Sequence, residues 1–328
     1  MKSRCLAVAT FALSIAGCGG GSPKPVVHAT PPPPHTQWKP LRRLEGWGNA
    51  NIQVFNGRLW TTQHDTIESK ELTSESLRFS GVKGDAPQAV CESNGYALAG
   101  GFSIETSPFS GFLLQGKAAS GRLEKIPSTT KQPAIYSMWC GEKVAYAVAN
   151  WDDKSGGLLR ASTESDASVL QWTRVNLDVG PVRLIDAAGV GDDVWAIGDG
   201  GLVVNGTGDT WKKVPSGVTV DLKAVVVAGK GDVYAGGEKG TLIHTTDGGA
   251  TWKTIATGST ETIFALYVEK DTILVGTGKG EILVSEDGGA HFTSEETEAA
   301  REGIRGFAHD SSWLAITPDA ILVRDIVK

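Results

Sequence analysis

The sequence predicts an all-β protein built from a repeated four-stranded unit, and three observations carry that expectation. Of 328 residues, 42 are glycine, a residue that weakens helix interiors and suits turns. Apolar residues alternate with period two in short runs, and none of these runs has the length and 3.6-residue period of a helix. The chain also resembles itself. KAVVVAGKGDVYAGGEKGTLIHTTDGGATWKTI (223–255) and FALYVEKDTILVGTGKGEILVSEDGGAHFTS (264–294) each read strand, polar turn, strand, Gly-rich turn, strand, Asp-Gly-Gly turn, aromatic strand. Four short antiparallel strands repeated every 40 or so residues (about one blade) form the pattern of a β-propeller.

The register extends in both directions from Trp252. Phe292 follows it, and Trp211, Trp172, Leu123, Leu77 and Trp38 precede it at spacings of 39 to 49 residues. These seven positions predict seven blades. Residues 304–325 supply three strands and then lack the aromatic fourth, so the segment around Trp38–Leu44 is expected to complete the last blade. That closure would remove an open sheet edge. Six blades with an irregular N-terminal part is the alternative, because residues 47–80 match the repeat least.

The first residues read as an address. Lys2 and Arg4 precede an apolar run, Leu6 to Ile15, that is too short to span a bilayer but suits a signal peptide. It ends in Ile15-Ala16-Gly17-Cys18, which resembles the bacterial lipobox. That resemblance implies cleavage before Cys18 and lipidation of its thiol. Gly19 stands where an Asp would imply retention at the inner membrane, so the expected location is the outer membrane of a Gram-negative bacterium, periplasmic or surface-exposed. Residues 1–17 are thus the signal peptide, 18–36 a Pro/Gly-rich tether containing Pro31–Pro34, and 37–328 the propeller. His28 and His35 in the tether lack Cys or carboxylate company, and no metal or cofactor is expected. The net charge of −6, from 37 acidic and 31 basic residues, gives no polyanion footprint and argues against nucleic acid. The remaining cysteines, Cys91 and Cys140, sit at similar points of consecutive repeats, and either pair as a disulfide or stay as two buried thiols.

TTDGGATW (Thr245, Asp247, Gly249, Trp252) and SEDGGAHF (Ser285, Asp287, Gly289, Phe292) resemble the Asp-box of the bacterial neuraminidase (BNR) repeat families. The wider pattern is similar to propellers of the photosystem II stability and assembly factor type. The resemblance implies a structural role. The Asp and Ser/Thr oxygens staple a tight hairpin, and the aromatic packs between neighbouring sheets. Asp-box sialidases also need an Arg-Ile-Pro segment; here Lys125-Ile126-Pro127 stands in an expected outer strand, so that activity is not expected. No nucleophile elbow, zinc-protease or phosphate-loop motif appears either, and no catalytic residue is assigned.

Loops joining second to third strands are expected near 62–70, 101–111, 150–157, 198–201, 236–240, 276–280 and 317–319. Those of blades 2 and 3 are long, and long loops on a rigid scaffold often carry function. They place Phe102, Phe109, Trp151, Asp152 and Asp153 on adjacent blades as the candidate ligand face, the alternative being that the aromatics pack their own blades. The expected activity is a lipid-anchored envelope scaffold that binds a protein partner. A carbohydrate-binding propeller is the second reading, and a glycan hydrolase using Asp152 with Glu105 the third. His64, Asp65 and Glu68 form a weaker cluster.

Overall fold

Seven four-stranded antiparallel sheets follow one another along the chain in the computed structural model. It describes residues 35–328 apart from 45–49, 56–57, 64–65, 72–76, 82–84, 104–109, 121, 129–130, 152–154, 165–166, 298–302, 310 and 328. The signal peptide, Cys18, the tether through residue 34, His28, Glu105, Phe109, Asp152, Asp153, His64 and Asp65 therefore lie outside the described residues. From the channel outward, blade 1 comprises Ala50–Phe55, Arg58–Gln63, Thr66–Glu71 and Leu77–Gly81, and blade 2 Asp85–Ser93, Tyr96–Ser103, Ser110–Lys117 and Glu124–Lys125. Blade 3 comprises Ala134–Cys140, Val144–Asn150, Gly156–Ser162 and Thr173–Arg174, and blade 4 Leu184–Val190, Asp193–Gly198, Val203–Thr207 and Thr210–Lys213. Blade 5 is Leu222–Gly229, Asp232–Gly237, Leu242–Thr245 and Lys253–Thr254, and blade 6 is Ile263–Glu269, Thr272–Thr277, Ile282–Ser285 and Thr293–Thr297. Blade 7 takes Gly306–His309, Trp313–Ile316 and Ala320–Val327 from the C-terminal end, and its outer strand is His35–Arg43.

The ring therefore has seven blades, and the N-terminal strand closes it. This closing strand pairs antiparallel with Ala320–Val327 from His35↔Val327 to Arg43↔Ala320. It begins two residues before the propeller start expected at 37, because His35 and Thr36 already find partners on that strand. The expected outer-strand positions fall within the fourth strands (Trp38, Leu77, Trp211) or one residue before them (Leu123, Trp172, Trp252, Phe292).

The expected first-blade loop at 62–70 is corrected. Strands Arg58–Gln63 and Thr66–Glu71 leave only residues 64–65 between them. The β-branched residues at 61, 62, 66 and 67 favour the pleated ladder over an open loop. Glu68 accordingly belongs to a strand, where it takes two hydrogen bonds from the Arg42 guanidinium, at 2.6 and 3.2 Å.

Apolar clusters fill the seams between consecutive blades. Trp195, Ile197 and Val203 of blade 4, for example, pack with Val225, Val233 and Ala235 of blade 5. Each such buried aliphatic side chain contributes roughly 1.5–3 kcal/mol, so the seams dominate the stability of the ring. The Asp-Gly-Gly turns set the spacing of these seams. Thr245 Oγ1 accepts the backbone N–H of Gly249 at 3.0 Å, and Asp247 Oδ1 accepts that of Thr251 at 2.9 Å. Ser285 and Asp287 repeat the pattern with Gly289 and His291. Gly249 has φ +82°, and a Cβ there would lie 2.3 Å from Val214 Cγ1, so the turn approaches the preceding blade through a position only glycine fills. Trp252 then stands edge-on to the buried Trp195, with ring centroids 6.2 Å apart. Cys91 and Cys140 form a disulfide joining the inner strands of blades 2 and 3.

Candidate functional site

In blades 2 to 6 the pairing of the inner strand with the second strand shifts by one residue near the start of the inner strand. The residues passed over are Gln88, Tyr136, Ile185, Lys223 and Phe264. A bulge of this kind leaves one residue out of the ladder and re-aims its side chain. Here the residue beside the bulge is held by the neighbouring blade. Gly100, Gly236 and Gly276 lie so close to Ile135, Ile263 and Ile304 that an added Cβ would come within 2.6 Å of each isoleucine. Arg305 follows Ile304 as Phe264 follows Ile263, which adds blade 7 to the series. These six residues line one end of a central channel of about 560 Å³, on the side where second and third strands connect. This mouth is the candidate site.

Its surface is part aromatic and part charged. Tyr136 is 37% exposed, and Phe102 packs against it with ring centroids 5.7 Å apart. The Arg305 guanidinium lies 4.8 Å from the centroid of the Phe264 ring, within cation–π range. Asp199 receives Arg183 at 2.7 and 3.3 Å, and Asp221 receives Lys223 at 2.9 Å. The hydrogen bonds to Asp199 hold the Arg183 guanidinium above its ordinary pKa. The Asp221 carboxyl is held below its ordinary value, first by the Gly200 N–H and then by Lys223. Deeper in the channel wall, burial pushes the Asp186 carboxyl up, against the Ser137 hydroxyl and the N–H groups of Val225 and Ala187 that favour its charge. Asp186 thereby straps the inner strands of blades 3, 4 and 5.

The residues expected at the ligand face divide. Phe102 packs against Tyr136 at the mouth without itself lining the channel. Trp151 closes its own loop, its N–H bonded to Ser155 O at 2.9 Å. Its ring lies under the Arg174 guanidinium, 4.0 Å from the centroid, and against Gly157, so both contacts are within blade 3. Phe109, Asp152 and Asp153 lie outside the described residues. Sequence reasoning missed Tyr136, Lys223, Phe264 and Arg305. Their signal was present at one repeat offset, in Ile135-Tyr136, Leu222-Lys223, Ile263-Phe264 and Ile304-Arg305. Among the described residues, no group of three or more His, Cys, Asp or Glu side chains is placed to hold a metal ion.

No protein-family model matches the chain, and no curated protein matches it. Solved structures do. A chain of a mitotic checkpoint complex superposes with TM-score 0.69 at 12% identity, covering 98% of this chain and 99% of that one. YCF48 bound to a D1 peptide gives 0.68 at 11%, covering 89% and 97%. The WD40 propeller domain of Doa1 gives 0.66 at 10%, covering 88% and 97%. At these identities the likeness is one of fold, and the fold of this chain is a seven-bladed β-propeller.

Proposed function

We propose that this propeller is a binding scaffold that takes a segment of a protein partner at the channel mouth, with Tyr136 as the anchoring side chain. The observation that carries the reading is the exposure of Tyr136, a large ring backed by Phe102 that shares the channel lining with Lys223, Phe264 and Arg305. Aromatic and arginine side chains in such a setting supply most interface hot spots, and tyrosine offers an apolar body with a polar tip. Two of the similar structures are protein assemblies, the checkpoint complex and YCF48 with its D1 peptide, which supports a protein ligand. The hairpins at Thr245–Trp252 and Ser285–Phe292 act in this reading as Asp-box staples and take no part in binding.

The scaffold is, in the same proposal, a lipoprotein of the outer membrane, cleaved before Cys18, anchored through that thiol and without an enzymatic role. Two or three acyl chains would hold it almost permanently. His35, the first residue of the closing strand, pairs with Val327 at the end of blade 7 away from the mouth. The test is affinity capture from detergent-solubilised envelopes with wild type and Tyr136→Ala. The variant is expected to recover at least about tenfold less of a discrete partner, as for a lost hot spot, with an unchanged melting temperature. Equal recovery by the two proteins would overturn the proposal.

A further inference from the structure

The disulfide between blades 2 and 3 joins two cysteines of unequal burial. Cys91 is fully buried and sits in the core cluster of blades 2 and 3. Cys140 is only partly buried against that cluster and lines two spaces at once. One is the central channel, and the other is a groove of about 720 Å³ on the opposite face from the mouth. Cys91 lines neither. The groove is shaped by Trp139 and by the turns after the inner strands of blades 3 and 4. Gly141 and Gly189 lie against the Trp139 indole so closely that a Cβ on either would fall within 2.9 Å of the ring. Larger residues at 141 or 189 would force the indole to shift and change the approach to Cys140. Val190, 43% exposed, forms part of the rim.

We infer that Cys140 is the site of thiol–disulfide exchange in this protein, and that the groove beside Trp139 admits the incoming thiol. Exchange requires a thiolate to reach one sulfur of the bond, so access decides which sulfur is attacked. The thiolate of a small or protein-borne thiol attacks Cys140 Sγ and forms a new S–S bond. The Cys91–Cys140 bond breaks, its electron pair goes to Cys91 Sγ, and that sulfur takes up a proton. A second thiol then attacks the mixed disulfide. The donor pair ends oxidised to a disulfide and Cys91 and Cys140 end as thiols, a two-electron transfer. The reacting class is therefore a dithiol or a pair of monothiols. This inference is independent of the binding site at the mouth.

Glutathione is the probe. The folded full-length chain is incubated with it in the absence of denaturant, quenched in acid, alkylated and mapped peptide by peptide, so that Cys5 and Cys18 are scored separately. The expected result is a glutathione adduct on Cys140, with Cys91 carrying only the alkylating reagent added after unfolding. A companion measurement compares Cys91→Ser, which frees Cys140, with Cys140→Ser, which frees Cys91. Labelling of Cys140 by an aromatic disulfide reagent should be at least about tenfold faster than labelling of Cys91, following exposure. Adducts shared equally by the two cysteines, or a bond that yields only when the fold melts, would overturn the inference. The wild-type map decides the question even where a variant folds poorly.

Discussion

Between blades 4, 5 and 6 the seams are mostly apolar and local, with Asp186 accepting the Val225 N–H across one of them. A glycine turn approaches the preceding blade, a Thr or Ser and an Asp staple the hairpin, and an aromatic such as Trp252 stands edge-on to its neighbour. Around the closure the chemistry is different. Trp38 is fully buried and its indole N–H donates to Glu295 at 2.9 Å, while Glu295 also receives Arg324 at 2.5 to 3.1 Å. Between blades 1 and 2, Glu92 takes the indole N–H of Trp60 with Arg58 beside it. The closing strand also places Arg42 on Glu68 of blade 1, and its Gln37 and Trp38 pair in parallel with Glu296 and Thr297 of blade 6. Consecutive blades are joined by short connections and find each other cheaply. The closing strand must find partners more than 250 residues away, and apolar contact alone does not specify its register. Directional bonds to buried carboxylates do, at the cost of desolvating them.

The sharpest way to break this comparison is Trp38→Ala. It removes a large buried ring and leaves Glu295 one donor short, so denaturant unfolding should show a loss of about 3–5 kcal/mol. Trp252→Ala, which empties a half-buried position in a local seam, should lose clearly less. Equal losses would mean that the closure is no more demanding than any other seam. Glu295→Gln separates charge from shape. It takes the buried ionic partner from the Arg324 side chain, 14% exposed, and leaves it only the exposed Glu286 at 3.3 Å, and stability should fall by about 3 kcal/mol. No change would show that the indole hydrogen bond alone holds the strand.

The smallest effect belongs to the staples and appears as a pH dependence. Asp247 is held at about 2, first by the Thr251 hydroxyl, and Asp287 at about 2, first by the His291 backbone N–H. A carboxyl depressed below its ordinary 3.8 contributes stability above that value and loses it as pH falls toward 2. Melting curves between pH 5 and 2 should therefore converge for wild type and the Asp247→Asn, Asp287→Asn double variant. A gap of constant size across that range would exclude the staples as its source.

Blades 4 to 6 were legible because the same residues recur at the same offset, down to Thr245 and Ser285. Blade 1 was not, since threonines at 61, 62 and 66 read as polar loop until a partner strand is seen beside them. The binding mouth was legible only in part. Phe102 stood in an expected long loop, whereas Tyr136 sits in a strand and Arg305 directly before one, outside the long loops. Tyr136 reaches the mouth through a bulge beside Ile135, which the neighbouring blade holds at Gly100.

What the amino-acid order determined by itself is periodic. It set the strand alternation, the blade length, the number of repeats and a Trp38 strand in need of a sheet, because each is a local pattern of apolar, glycine and turn residues. The tertiary structure alone decided which glutamates receive Trp38 and Trp60, which cysteine of Cys91–Cys140 is fully buried, and which residues the bulges deliver to the channel mouth. These depend on distances between segments far apart in the chain, and those distances exist only once the ring has closed.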